Sequence, residues 1–409
     1  MKIFFKNLFK APMLLVFLLV VLVFGLPALA QSAEINRYAV VTVVGIDPAQ
    51  EEGEIKVSLL TFMPTADQTF AENYKVITAQ ARSVSEALDY AGLHIGRQVG
   101  LSHTKTVIIN KDLIGDDVGK QLDYLARNKL LGSEVRLVVT DSDTEELLEA
   151  VQKLDSESSI KISDVIAYSG DYIYSIDSTF KSFFKGVFGP TKVGVMPIIS
   201  LSKSEPGLSV SGRSDSNIEK GSTTGEGESA EIVNNGETVV FKNGKYKTIL
   251  NGLDVKKINL MKRDSATGSL VLNNYTGGDY RNSKLTFEIL EKKQSRKVYF
   301  QNDIPVVVLN LNVTISLAEV QDENGIVKEN VEFTGIDDNL KKAVELELKK
   351  LISEGIEIMR DNQTDIVDFY TTLSNSNRGA FNKFLNSLED KEDYLNGIVF
   401  KVGINVFSR

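Results

Sequence analysis

The chain has 409 residues, 42% hydrophobic and 25% charged, a balance that supports buried cores, excludes wholesale disorder and calls for two or three domains. Its net charge is −9, and the first thirty residues carry three lysines and no acid, which leaves a body of about −12 that repels phosphate backbones, so nucleic-acid binding is not expected. Cysteine is absent, which excludes disulfides, thiolate nucleophiles and Cys-ligated metals; there are two histidines, His94 and His103, and no tryptophan.

Lys2, Lys6 and Lys10 precede an uncharged apolar run from Met13 to Leu26, then Pro27 and the small residues Ala28 and Ala30. This is the pattern of a secretory signal over residues 1–30, cleaved after Ala30. Residues 11–30 are also long enough to span a bilayer if retained, with the lysines inside and the body outside. Cleaved signal and retained anchor both stay open.

Residues 37–46 (RYAVVTVVGI) and 55–62 (IKVSLLTF) read as strands of a hairpin, and 75–80 as a short third. Ser83 and Glu86 form a capping-box pattern ahead of a helix with Ala87, Leu88, Ala91 and Ile95 on one face. A strand over 105–110, a helix over 117–128 with Val118, Leu122 and Leu125 inward, a strand over 135–140 and a helix over 144–154 capped by Asp143 and Glu146 follow. The alternation predicts an α/β layer. Phe180, Phe183, Phe184, Val187 and Phe188 are expected on one face of a short helix, and 193–199 as an edge strand that tolerates Pro197.

Residues 201–236 are rich in Ser, Gly, Glu and Asn and read as a flexible linker between an N-terminal region, 34–200, and a C-terminal domain, 237–409. The second part opens on a hairpin at Asn243-Gly244. Strands are expected over 270–275, 284–292, 297–301 and 306–320, and a turn at 323–325 leads to another over 326–333. A long helix after Asp337-Asp338 carries the stripe Leu340, Val344, Leu348, Leu351, Ile352 and Met359. Helical pieces over 365–384 and a strand over 398–407 complete an α+β protein: mixed sheets with helices, in two to three subdomains, after the N-terminal signal or anchor helix.

No motif for chemistry emerges. Residues 221–227 (GSTTGEG) lack the Lys-Ser/Thr, the strand and the helix of a phosphate loop, and HExxH is absent. Asp322 to Gly325 lacks the acidic ligands of a Ca²⁺ loop and reads as a turn. His103 beside Ser102 reads as a polar residue at a strand edge rather than a base. No catalytic, cofactor-binding or metal residue is therefore assigned, and a non-enzymatic protein without cofactor is expected.

Several landmarks, in order, resemble the C subunit of spore germinant receptors, the GerAC or Ger(x)C family. They are Glu34-Ile35 through Val44-Gly45-Ile46-Asp47; Val84-Ser85-Glu86-Ala87; Gly96-Arg97; Ser102-His103-Thr104-Lys105 with Val107-Ile108-Ile109; and Arg127-Asn128. The hairpin from Glu237 to Leu250, Ala318-Glu319 at a strand end and Asp365-Ile366 after the long helix continue the series. The resemblance implies an exported subunit on the outer face of the cell or spore inner membrane. It would work beside two membrane subunits, one transporter-like and one with a large soluble domain, in nutrient-triggered germination. Arg97, His103 and Arg127 are expected in structural roles, the arginines pairing buried carboxylates or capping helices. Two departures stand out: the lipobox cysteine of the family is missing, and 365–369 (DIVDF) lacks the usual glycine and a later tryptophan, for which Phe381 or Phe384 could substitute. A free secreted or anchored binding protein outside germination is the alternative that the missing cysteine motivates.

Overall fold

The computed structural model describes Leu19 and residues 38–63, 74–157 apart from 116, 170–204, 229–262 apart from 235, 267–322 apart from 279, and 336–409. The expected signal segment, the turn at 323–325 and the strand at 326–333 lie outside the described residues, as does most of the expected linker.

Two sheets carry the fold. The first is built from β1 (Tyr38–Pro48), β2 (Ile55–Phe62), β3 (Tyr74–Ala81), β4 (Gln98–Gly100), β5 (Thr106–Asn110), β6 (Arg136–Thr140), β7 (Val193–Ser204), β8 (Ser229–Val233), β9 (Thr238–Lys242) and β10 (Lys245–Leu250). Its order is β10-β9-β7-β6-β5-β1-β2-β3, with β4 beside β1 and β8 beside β7. The central strands β1, β5, β6 and β7 run parallel, as the strand–helix alternation requires, and antiparallel hairpins flank them.

Helices cover both faces. On one side α1 (Val84–Ile95), α2 (Val118–Arg127) and α4 (Phe180–Val187) bury Ala87, Leu122, Leu125 and Phe183 against Val44, Val107 and Phe241. On the other, α3 (Thr144–Glu157) sets Leu147 and Leu148 on Val43, Ile108 and Val138. The caps follow the sequence closely. Ser83 Oγ accepts from the Glu86 amide at 3.2 Å, while the Glu86 carboxylate reaches the amide of Arg82, one residue before the cap, at 3.1 Å.

The second sheet has the order β11 (Gly268–Gly277), β12 (Tyr280–Gln301), β13 (Ile304–Gln321), β14 (Val399–Ser408), antiparallel except for the parallel β13–β14 pair. Its inner face, with Phe287, Leu309, Leu311 and Ile315, is buried by α5 (Gly252–Asn259), α6 (Asp338–Asp361), α7 (Phe369–Ser376) and α8 (Arg378–Ser387). The α6 stripe is buried at Leu340, Val344, Leu348, Ile352, Ile356 and Met359, whereas Leu351 is only half-buried. The result is the mixed α+β architecture expected, with an α/β first layer.

Three readings are corrected. First, β7 is an interior strand: β9 pairs it along Val193 to Pro197, and β6 at Ile198 and Ile199. Proline is tolerated because the Ile198 N–H points to β9, so position 197 faces the β6 side, and there the Leu137 N–H is taken by Ser178 instead. Second, the hairpin at Asn243-Gly244 extends the first sheet rather than opening the second. Both of its turn residues have positive φ, 55° and 76°, as a type I′ turn demands. The ends of the expected linker are themselves strands, β7 continuing to Ser204 and β8 pairing back on it. Third, the two strands expected over 284–301 are one 22-residue strand. Lys292, which ends the first, and Arg296, in the polar stretch between them, both turn inward. Lys292 Nζ donates to the carbonyls of Asn259 and Lys262 at 2.5 and 3.0 Å, and the Arg296 guanidinium to those of Met261 and Val367 at 2.6 and 3.0 Å.

Candidate functional site

In open sheets with parallel strands, ligands gather at the carboxyl ends of the strands. Here those ends are β1 at Asp47, β5 at Asn110 and β6 at Thr140, with the N-terminus of α3 beside them. The space is filled from within. Asp47 is 2% exposed. Its carboxylate accepts from Asn110 Nδ2 at 2.9 Å, from the Thr144 amide at 3.2 Å and from the Thr144 hydroxyl. Lys56 Nζ lies 3.8 Å from it, bonded to Asp143, with Glu145 at 3.5 Å. Asn110 Nδ2 also reaches the Ser142 carbonyl at 3.2 Å.

The charges are balanced locally. Burial pushes the Asp47 pKa up, and the hydrogen bonds from Thr144 and Asn110 offset only part of it. Burial opposes the charge on Lys56, but the Asp143 hydrogen bond and the neighbouring carboxylates outweigh it, so its pKa is raised. Burial likewise opposes ionisation of Asp143, yet its bonds from Lys56 and the α3 amides hold its pKa below the ordinary value. Gly45 completes the plug, since a Cβ there would lie 2.4 Å from Thr144 Oγ1. This arrangement ties three strands to one helix.

Sequence reasoning ended the first strand at Ile46 and missed this network. The available signal is an acid ending a buried strand, with Asn110 ending the next parallel one.

The residues singled out by resemblance are not brought together. His103 is exposed on the turn before β5, with no hydrogen bond to Ser102 among the described residues. Arg127 is exposed and pairs with Asp123 at 2.9 Å along α2, a surface contact rather than the buried pairing or helix cap expected. Arg97 follows the left-handed Gly96 that ends α1. It is half-buried, its Nη1 is shielded from solvent with no hydrogen-bond partner, and among the described residues it pairs with no carboxylate.

A second buried carboxylate lies under α7. Asp365 accepts from the amides of Phe369 and Tyr370 at 2.9 and 2.8 Å and from the Tyr394 hydroxyl at 2.6 Å. Burial raises its pKa against these bonds, and burial together with the Asp365 charge raises that of Tyr394. The sequence reading put Asp365 at the head of the helical pieces and, by resemblance, after the long helix, and gave it no partner. Phe381 and Phe384, expected to stand in for the missing tryptophan, are buried beside it, with Phe381 edge-on to Tyr370 at 4.9 Å.

A concavity of about 880 Å³ runs between α2 and α4. Leu125 and Phe183 are fully buried beneath it, while Phe184 and Phe188 stack at 5.6 Å on its wall, Phe188 being 78% exposed. Lys120, Arg127 and Lys181 rim it. The groove combines apolar walls with a rim of mixed charge, Asp117 and Asp123 beside Lys120, Arg127 and Lys181. Among the described residues, no cluster of three or more His, Asp or Glu could hold a metal, and no helix is long and apolar enough to cross a membrane.

Comparison with known proteins places this geometry. The N-terminal domain model of spore germination proteins matches residues 31–201, and the C-terminal spore germination B3/GerAC-like model matches 236–406. The crystal structure of the GerBC protein aligns with a TM-score of 0.48 at 14% identity, covering 89% of this chain and 96% of that one. No curated protein matches. Both halves match in the order that the family has them: the chain belongs to the Ger(x)C, GerAC-like, spore germination protein family.

Proposed function

We propose that the chain is a non-enzymatic, extracytoplasmic C subunit of a spore germinant receptor. In this reading it supports nutrient-triggered germination by assembling with the receptor's membrane subunits. The observation that carries it is the pair of family matches over 31–201 and 236–406. Two features agree with a binding role. The carboxyl ends of the parallel strands are filled by Asp47, Asn110 and Thr144, and the groove between α2 and α4 is walled by Phe184 and Phe188. The lysine-flanked apolar run over residues 1–30 directs export, and with no cysteine to lipidate, attachment falls to that segment or to the partner subunits.

The test is release of spore-core contents in a deletion strain beside wild type and a complemented strain. Release lost for one nutrient class and restored by complementation is the expected result. Unchanged release to every nutrient, with the protein found free in the medium, would instead support a secreted binding protein outside the receptor, the reading that the missing cysteine favours.

A further inference from the structure

We infer that the free edge of β14 receives an extended, acidic segment of another protein as an added strand. The argument starts from backbone parity. The Arg409 N–H, just past β14, donates to the Ile315 carbonyl on β13 at 3.2 Å, so odd-numbered residues turn their backbone groups inward to β13. The Val406 N–H donates outward to Glu345 Oε1 of α6 at 3.3 Å, so even-numbered residues point away from the sheet. Phe400, Val402 and Ile404 therefore present N–H and C=O groups on the open side, where no strand among the described residues pairs with them.

Native edges of this length are usually blunted by proline, bulges or inward charges. Over its ten residues, β14 (VFKVGINVFS) has no proline and one charge, Lys401. Instead α6 runs alongside. Glu345 closes the far end, and toward Val399 the two elements part to leave a groove of about 600 Å³ floored by Ile356 and walled by Lys349, Ser353 and Glu357. A groove between an edge strand and a helix is the geometry in which a peptide is held by main-chain bonds on one side and side chains on the other.

The charges select the occupant. Arg360 in this groove is already matched by Glu357 at 2.7 Å and by the carbonyls of Leu395 and Ile398. Among the described residues, Lys349 and Lys401 have no carboxylate partner, and Lys401 donates to the Tyr299 hydroxyl at 2.9 Å. An incoming strand with Asp or Glu satisfies both. A second copy of β14 would set lysines against lysines, which disfavours self-pairing.

A phage-displayed library of random decapeptides, selected on the full chain in detergent, tests this. The enriched peptides are then measured on wild type, Val402→Pro and Lys349→Glu. Val402→Pro removes an outward N–H and no bond to β13, a position where edge strands accept proline. Lys349→Glu changes an exposed helix position and keeps the fold in any case. The expected binders are proline-free, alternate β-branched residues, carry Asp or Glu, and weaken about tenfold or more on each variant. No enrichment, or binders indifferent to both substitutions, would overturn the proposal. So would a dimer of the full chain in sedimentation that Val402→Pro dissolves, since the edge would then serve a second copy.

Discussion

Asp365 shows how a single buried acid records its surroundings in the pH dependence of folding. Burial raises its pKa above the ordinary 3.8, and the donors from Tyr394, Phe369 and Tyr370 only partly compensate. The folded state therefore holds this proton more tightly than the unfolded chain does. The stabilisation is complete below the unfolded value and fades as pH climbs through the raised one. Asn at this position does not titrate. Relative to wild type, Asp365→Asn should gain stability steadily as pH rises above about 4. Urea midpoints of both proteins across a pH series read this directly, and a gap moving the other way would mean that the three donors dominate. Gly45 poses a steric question at the same scale. Its missing Cβ makes room for Thr144, whose hydroxyl serves Asp47. Gly45→Ala should cost about 1–3 kcal/mol by forcing α3 away from β1, seen as a lower urea midpoint at unchanged slope.

At the scale of elements, α6 divides its leucines cleanly. Leu348 is fully buried in the core of the second sheet, while Leu346 is 69% exposed. Leu348→Ala should cost about 2–5 kcal/mol and Leu346→Ala less than about 0.5, measured by thermal or urea unfolding. This helix was legible because its 3.6-residue periodicity and its cap at Asp337 are local, as were the cap at Ser83 and the type I′ turn at Asn243-Gly244. What local signals could not carry was the company each strand keeps. The stretch after Lys292, with Arg296 in it, looked like a break because the partners of both cations are carbonyls at the ends of helices roughly thirty to seventy residues away, at Asn259, Lys262, Met261 and Val367. The Asp47 network was missed for the same reason, since Asn110 and Thr144 stand 63 and 97 residues along the chain. Pro197 suggested an edge by a sound rule. The strand is interior, and the proline faces the one stretch where Ser178 replaces β7 as the neighbour of β6.

Across the whole molecule, composition and sheet topology divide the chain differently. The polar stretch and the two family matches separate near residues 201–236, but the first sheet continues past them through β8, β9 and β10. The hairpin closes one side of β7 along Val193 to Pro197 and places Val239 and Phe241 in the core beneath α4, where Phe241 meets Phe183 edge-on at 5.4 Å. On its other side Val240 joins Val193 and Leu250 in the cluster that continues into the second sheet. A fragment of residues 38–204 would leave the β7 edge unpaired and uncover Phe183, Met196 and Ile198, all in that core. A fragment of 38–250 keeps both hairpin strands and exposes Ile173, Ile176, Val193, Val240 and Leu250, which belong to the cluster of the second half. The longer fragment should melt cooperatively, and the shorter should show no sharp transition and bind a dye for exposed apolar surface. Circular dichroism on heating, with both fragments prepared in parallel, makes the comparison. Equal cooperativity in the two would mean that β9 and β10 are guests of the first sheet, and that the boundary drawn by composition is also the boundary of folding.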